Sequence, residues 1–178
     1  MLTQFALLAT YNADMNRKLY DAAATLPAGA WQADRRAFFG SICGTLNHLV
    51  AADTIWLTRF AAHPGGHAAL ATLRGQPVPT ALTHIYSDDV ATLAARRRQL
   101  DELIVRFIAE LSAADLDHVL RYANTKGVVS DKRFASLLLH FFNHQTHHRG
   151  QASTLLTQAG VDIGVTDLLA WVPNQPGL

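Results

Sequence analysis

The chain has 178 residues, of which 49% are hydrophobic and 16% are charged, so it is long and apolar enough to enclose a full hydrophobic core and is not an intrinsically disordered protein. Its net charge of +1, with no long run of one sign, argues against a dedicated nucleic-acid surface. We find neither a basic signal-peptide leader nor an apolar membrane span, and the single cysteine, Cys43, excludes an intrachain disulfide, so we expect one cytoplasmic domain over residues 1–178.

Four stretches repeat apolar residues at helical spacing and are separated by segments rich in glycine and proline. We predict four long helices at about residues 3–26, 41–62, 84–111 and 134–159. Ser41 is suited to the N-cap of the second helix. Residues 118–133 are too interrupted for a helix and predict a loop or a small hairpin that turns near Lys126 and Gly127. Four such helices predict an all-α four-helix bundle, and the long segment between helices two and three predicts a crossover connection.

The fourth helix carries four of the nine histidines within the nine residues 140–148. At about 100° per residue, His144 and His148 fall on the apolar arc that also holds Leu137, Phe141 and Leu155. Two imidazoles separated by four helical residues can reach one metal ion. His140 and His147 fall at the flank of that arc. There they would support the ligands, lie in an interface or be solvated.

The same pattern has an ordinary explanation, which the spacing alone leaves open. A histidine on an apolar face is usually a core residue with one hydrogen bond, although two of them bring two polar nitrogens that must each be paired. One helix also supplies only two ligands, whereas a stable site needs at least three. His48, in the middle of the second helix, lies at the border of the apolar arc and is unremarkable by itself.

Other reactive or charged side chains have simpler interpretations. His63 and His67 repeat the four-residue spacing, but a proline and two glycines between them exclude a helix, so we expect no specific ligand there. Cys43 lies about 140° from His48 on the helical wheel, which favours a buried structural thiol. The run 96–98 consists of three arginines, and we expect a solvated helix face paired with Asp101 and Glu102.

Two motifs together resemble the DinB family, the damage-inducible, YfiT-like metalloenzymes. The first is the segment 45–56, which contains Asn47 and His48, and the second is His144-x-x-x-His148 followed by Arg149, Gly150 and Gln151. The resemblance spans nearly the whole chain, from Tyr11 and Asn12 to residues 166–168. Either motif alone would be weak, whereas both in this order are fairly specific.

The resemblance implies that His48, His144 and His148 bind one divalent transition metal in a four-helix bundle that assembles as a homodimer. Three neutral imidazoles suit zinc, nickel, copper or iron, of which we expect zinc or nickel, and they leave a coordination position open. The implied function is a metal-dependent enzyme of the thiol-dependent transferase, isomerase or hydrolase type, with a small-molecule substrate or a low-molecular-weight thiol as partner. The alternative is a stress-response protein that binds metal without turnover.

Some activities and roles are less well supported. Zinc peptidases have His-Glu-x-x-His, and Gln145 stands in the position of that glutamate, where an amide cannot act as a general base. The sequence identifies no catalytic residue. As supporting groups around the ligands we consider Asn47, Asp53, His140 and His147. DNA binding has little electrostatic support, and we expect neither a nucleic-acid partner nor a membrane contact.

Overall fold

The structure, a computed structural model, describes residues 1–174, so the last four residues of the predicted domain lie outside the described residues. The chain is mostly helical, with a small two-stranded antiparallel sheet. Its elements in order are α1 (Leu2–Ala24), α2 (Ile42–Phe60), a 3₁₀ helix (Ala68–Leu73), α3 (Val90–Glu110), α4 (Ala113–Asp117), β1 (Val119–Ala123), β2 (Val129–Arg133), α5 (Phe134–Gln158) and a second 3₁₀ helix (Leu168–Trp171).

The predicted long helices are found, but the third begins later than expected. It was predicted from residue 84 and begins at Val90, because the Asp89 side chain accepts a hydrogen bond from the Thr92 N–H and caps the helix there. The preceding residues are held by other contacts, such as the Trp31 Nε1–H that donates to the Asp88 carbonyl at 2.7 Å. The Ser41 cap of α2 is confirmed, since its side chain accepts from the Gly44 N–H at 3.0 Å.

The predicted hairpin before the last helix is confirmed. β1 pairs with β2 in an antiparallel register that sets Val119 opposite Arg133 and Ala123 opposite Val129. The Asn124 side chain closes the turn by accepting hydrogen bonds from the backbone N–H groups of Lys126 and Val128. The hairpin leads directly into α5, so the first residue of that helix, Phe134, is fixed by the strand pairing.

The four long helices share one hydrophobic core. Helix α1 packs against α3 and α5, and α2 packs against the same two helices. Aromatic rings fill the centre: Phe60 meets Phe134 and Phe141 edge-on, with ring centroids 5.2 and 5.8 Å apart. Among residues 1–174, no helix is long and apolar enough to cross a membrane.

Charged side chains also lie inside this core, and one of them contradicts the sequence analysis. Arg97 was expected on a solvated face but is only 1% exposed, with Nη1 2.6 Å from Asp53 Oδ2 and Nη2 3.0 Å from Asp101 Oδ1. Three consecutive residues cannot share one helix face, and Arg97 falls on the buried face with Leu93 and Leu100. The prediction of a solvated face was therefore wrong for Arg97.

The connection between α2 and α3 is long, as predicted, and returns along the first half of α2. Asn47 on α2 holds it there: its Oδ1 accepts from the N–H groups of Tyr86 and Ser87 at 2.7 and 3.2 Å, and its Nδ2 donates to the Ser87 carbonyl at 2.8 Å. The Leu82 carbonyl is consequently placed beside α2, where it meets a histidine.

Candidate metal centre

Helix α2 places His48 in the interior with one of its ring nitrogens already defined. His48 is 2% exposed, and its Nδ1 lies 2.9 Å from the Leu82 carbonyl oxygen. A carbonyl only accepts, so Nδ1 carries the proton and Nε2 of the neutral ring keeps its lone pair. Phe39 stacks on this ring, with centroids 3.9 Å apart and planes 18° from parallel. His48 is thus held in both position and tautomer.

Helix α5 places His144 and His148 beside α2, but not where the helical wheel predicted. Both are half-buried at the border of the buried face, whose centre is occupied by Gln145 and Arg149. The prediction that the two histidines occupy the buried arc was therefore wrong in detail. The wheel placed the two histidines on the apolar arc and missed that the Gln145 amide and the Arg149 guanidinium are paired within the core.

His148 on α5 also has a defined tautomer. His148 Nδ1 lies 2.7 Å from Gln151 Oε1. An amide oxygen only accepts, so the Nδ1–H of the ring donates to it. This leaves the lone pair of His148 on Nε2. Partners that fix the outer nitrogen of a ligand histidine in this way are typical of protein metal sites.

The three predicted histidines are brought together. His48 Nε2 lies 3.4 Å from His144 Nε2 and 3.2 Å from His148 Nε2, and the potential ligand atoms of the three residues all lie within 4.8 Å of one another. A tetrahedral ion about 2.0–2.1 Å from each nitrogen would hold the nitrogens roughly 3.3 Å apart. We call these residues the three-histidine cluster. Their geometry fits a metal ion, while metal binding itself stays a prediction.

The environment keeps these imidazoles neutral. Burial, with a smaller contribution from the neighbouring His148 ring, lowers the pKa of His48 from 6.5 to about 4. Burial and the adjacent imidazoles lower the pKa of His144 to about 3, and burial lowers that of His148 as well. At neutral pH the three rings are uncharged, which is the form that binds a metal.

The side chains proposed as supporting groups have different positions. Asp53 contacts the cluster only indirectly, because its carboxylate accepts from Gln145, the residue after His144, and from Arg97. The His140 ring lies 5.9 Å from that of His144 and packs edge-on against Trp56, and the exposed His147 ring lies 4.8 Å from that of His148.

The sequence analysis missed three contacts of the cluster: the Phe39 ring, the Leu82 carbonyl and the Gln151 amide. Gln151 follows His148 by three helical residues, so its position could have been inferred from spacing. Phe39 and Leu82 lie in segments without helical or strand periodicity, and no pattern indicated them. Cys43 is buried apart from the cluster, where its thiol contacts the Ser87 carbonyl at 3.8 Å and burial raises its pKa.

A second group of potential ligands lies at the pair for which the sequence analysis expected neither a helix nor a specific ligand. No helix joins His63 and His67, but their ring centroids are 5.2 Å apart and both lie near the Asp115 carboxylate. The intervening residues form a tight turn, in which the Gly66 N–H donates to the His63 carbonyl at 3.1 Å. The two histidine rings are therefore brought together by a turn and not by a helix.

Comparison with known proteins gives two findings. A family model described as the DinB family matches residues 1–175. The Protein DinB of Bacillus subtilis (strain 168) is 25% identical over 172 residues, which cover 93% of this chain and 92% of that relative. No solved structure gives a significant match.

Proposed function

This chain belongs to the DinB family, and from that membership and the three-histidine cluster we propose that it binds a divalent metal and is a metal-dependent enzyme of the thiol-dependent transferase, isomerase or hydrolase type. The observation that carries the proposal is the convergence of three Nε2 atoms, two of which bear lone pairs because their rings donate from Nδ1. The lone pairs of His48 and His148 face each other at 3.2 Å and repel unless a proton or a cation lies between them, and the lowered pKa values of both rings argue against an added proton.

The architecture proposed to support this site is a four-helix bundle formed by α1, α2, α3 and α5, with residues 61–89 as its crossover connection. In such bundles, metal ligands come from facing helices. Here one ligand lies on α2 and two lie on α5, which pack against each other. A cytoplasmic location and a homodimer stay predictions.

His48, His144 and His148 would hold the ion. Their neutral imidazoles suit zinc, nickel, copper or iron, of which we propose zinc or nickel. A divalent ion held by three imidazoles leaves a position for water or a thiol and lowers the pKa of the group that binds there. Other residues of the chain would orient and shield these ligands. The Leu82 carbonyl and Gln151 orient two of the rings, and Phe39 covers one face of His48.

The structure also bears on the peptidase and non-catalytic alternatives. Gln145 points into the core, where its amide donates to Asp53, so the position of the peptidase glutamate neither carries a carboxylate nor faces the cluster. Asp53 in turn is bonded to Arg97 and is not available as a general base. Because neither Gln145 nor Asp53 can act as a general base at the cluster, we keep the non-catalytic, stress-response metal protein as the second candidate and favour a thiol-dependent reaction over hydrolysis within the first.

The test is metal loading followed by thiol binding. Untagged protein is stripped with chelator, reloaded with zinc and analysed by mass spectrometry beside His48→Ala, His144→Ala and His148→Ala. We expect each variant to lose one ion per chain. The matched control is His140→Ala, an exposed histidine on the same helix, which should lose none. Variants that keep the wild-type metal content would refute the proposal.

Cobalt loading then separates the two candidates. With cobalt-loaded protein in excess over added cysteine, a thiol that enters the open position produces a sulfur-to-cobalt charge-transfer band, which should be absent in His144→Ala. Metal loading without any thiol band would favour the non-catalytic protein.

A further inference from the structure

A second potential metal site lies at the other end of α2. His63 follows that helix and His67 precedes the 3₁₀ helix at Ala68–Leu73, while Asp115 belongs to α4. Both rings are buried, with 4% of His63 and 8% of His67 exposed. We call these three residues the second cluster. About fifteen residues of helix and turn, or some 20 Å at the helical rise, separate His63 from His48, so the two clusters do not share a ligand or an ion.

The members of the second cluster turn one potential ligand atom each toward the others: Asp115 Oδ1, His63 Nδ1 and His67 Nε2. Asp115 Oδ2 accepts from the N–H and the hydroxyl of Ser112, both at 2.7 Å, which leaves Oδ1 to face the histidines. The His63 Nε2–H donates to the backbone carbonyl of Asp115 at 3.3 Å, so the lone pair of that ring is on Nδ1. These outer hydrogen bonds orient a carboxylate and an imidazole as ligand partners usually do.

Hydrogen bonds between the three side chains do not explain why they lie together. His63 Nδ1 and His67 Nε2 lie 3.7 and 3.9 Å from Asp115 Oδ1, beyond hydrogen-bonding distance. Within residues 1–174, His67 Nε2 is buried and has no hydrogen-bond partner. A buried polar atom without a partner is costly, and native structures usually supply a partner, a water or an ion.

The three ligand atoms converge beside Gly65. A Cβ built on this glycine would lie 2.7 Å from Asp115 Oδ1 and 3.0 Å from both His63 Nδ1 and His67 Nε2. The residue lies in the turn between the two histidines, and its missing side chain keeps open the space that the three atoms face. An ion at about 2.1 Å from each would draw the ligand atoms to roughly 3.4 Å from one another, which is a few tenths of an ångström shorter than the two distances from Asp115 Oδ1 to the imidazole nitrogens.

We propose that His63, His67 and Asp115 form a second metal site, which takes a zinc-class divalent ion and joins the loop after α2 to α4. Two imidazoles and one carboxylate are a common ligand set for such ions. The ion replaces the Gly65 N–H that now donates to His63 Nδ1 at 3.0 Å, so binding competes with one backbone hydrogen bond. Because both histidines lie against core rings, the His67 ring on Phe107 and the His63 ring on Phe134, the site has a structural role.

The test counts zinc in a background without the first site. A triple variant, in which His48, His144 and His148 are all alanine, is stripped, dialysed against micromolar zinc and analysed by mass spectrometry. We expect one zinc per chain and a zinc-dependent rise in melting temperature, since an ion that binds only the folded state stabilises it. Adding His67→Ala should abolish both. A triple variant that binds no zinc, or whose zinc survives His67→Ala, would overturn the proposal.

Single variants in the wild-type background provide a second measurement that does not depend on the triple variant folding. Asp115→Asn keeps an oxygen for the Ser112 cap but removes the charge, and Gly65→Ala keeps every ligand but fills the space between them. Each should lower the content from two zinc ions to one, whereas His84→Ala, an exposed histidine outside both clusters, should keep two. If Gly65→Ala and Asp115→Asn keep two ions, the second site is wrong, whatever happens at the three-histidine cluster.

Discussion

Arg97 gives the sharpest test of the buried charges. Arg97→Met keeps a similar length of apolar side chain but leaves Asp53 and Asp101 in the core without the guanidinium that lies 2.6 and 3.0 Å from them. Breaking a buried ion pair by removing one partner costs about 3–5 kcal/mol. Because a domain of this size is typically stable by about 5–15 kcal/mol, the variant should lose a large fraction of its stability.

The same substitution should make the stability depend on pH in a defined direction. Burial already raises the pKa of Asp53 to about 6, against the opposing attraction of Arg97, and it raises the pKa of Asp101. Without Arg97 both values rise further. A folded state that binds more protons than the unfolded state loses stability as the pH rises, so Arg97→Met should be least stable near pH 8 and partly recover near pH 5.5.

The assay is urea unfolding followed by circular dichroism at both pH values. The matched control is Arg121→Met, because Arg121 is exposed and lies 3.6 Å from Asp131 at the surface. This substitution should lower the free energy of unfolding by less than about 1 kcal/mol. A loss below about 1 kcal/mol at pH 8 in Arg97→Met, or a loss that is the same at both pH values, would show that the buried charges do not stabilise this core.

Two further predictions concern the surroundings of the three-histidine cluster. Asn47→Ala leaves the N–H groups of Tyr86 and Ser87 without their acceptor, so we expect a loss of about 1–3 kcal/mol in urea unfolding, and an unchanged midpoint would contradict this. The metal-free protein should lose stability as the pH falls from about 6.5 toward 4, because the lowered pKa values of His48 and His144 mean that the unfolded chain takes up protons first. His48→Gln should make this decline shallower, which a pH series of thermal melts would measure.

The helices were predictable because their apolar residues recur at 3.6-residue spacing and their ends carry local signals. Ser41 accepts from the Gly44 N–H, as its place before an apolar stretch indicated. The start of α3 was predicted six residues too early, since residues 84–89 are compatible with a helix but are held by contacts with α2 and Trp31. Such contacts join segments far apart in the sequence, and no local pattern reports them.

The spacing of histidines in the sequence predicted only part of the potential metal ligands. Periodicity singled out His144 and His148, and the resemblance to the DinB family added His48, whose position at the edge of α2 was unremarkable alone. The second cluster could not be inferred in this way. His63 and His67 meet through a turn, and Asp115 follows them by about fifty residues, so their proximity depends on tertiary packing.

The buried polar residues of α5 explain why His144 and His148 lie beside His48. Gln145 and Arg149 each follow a cluster histidine by one residue, and each is bonded inside the core, Gln145 to Asp53 on α2 and Arg149 to Asn12 on α1. One residue is about 100° of helix, so fixing these two at the centre of the buried face turns the preceding residues to its border. That border faces α2, where His48 lies. The polar core therefore sets the rotation of α5, and the rotation of α5 sets the geometry of the metal ligands.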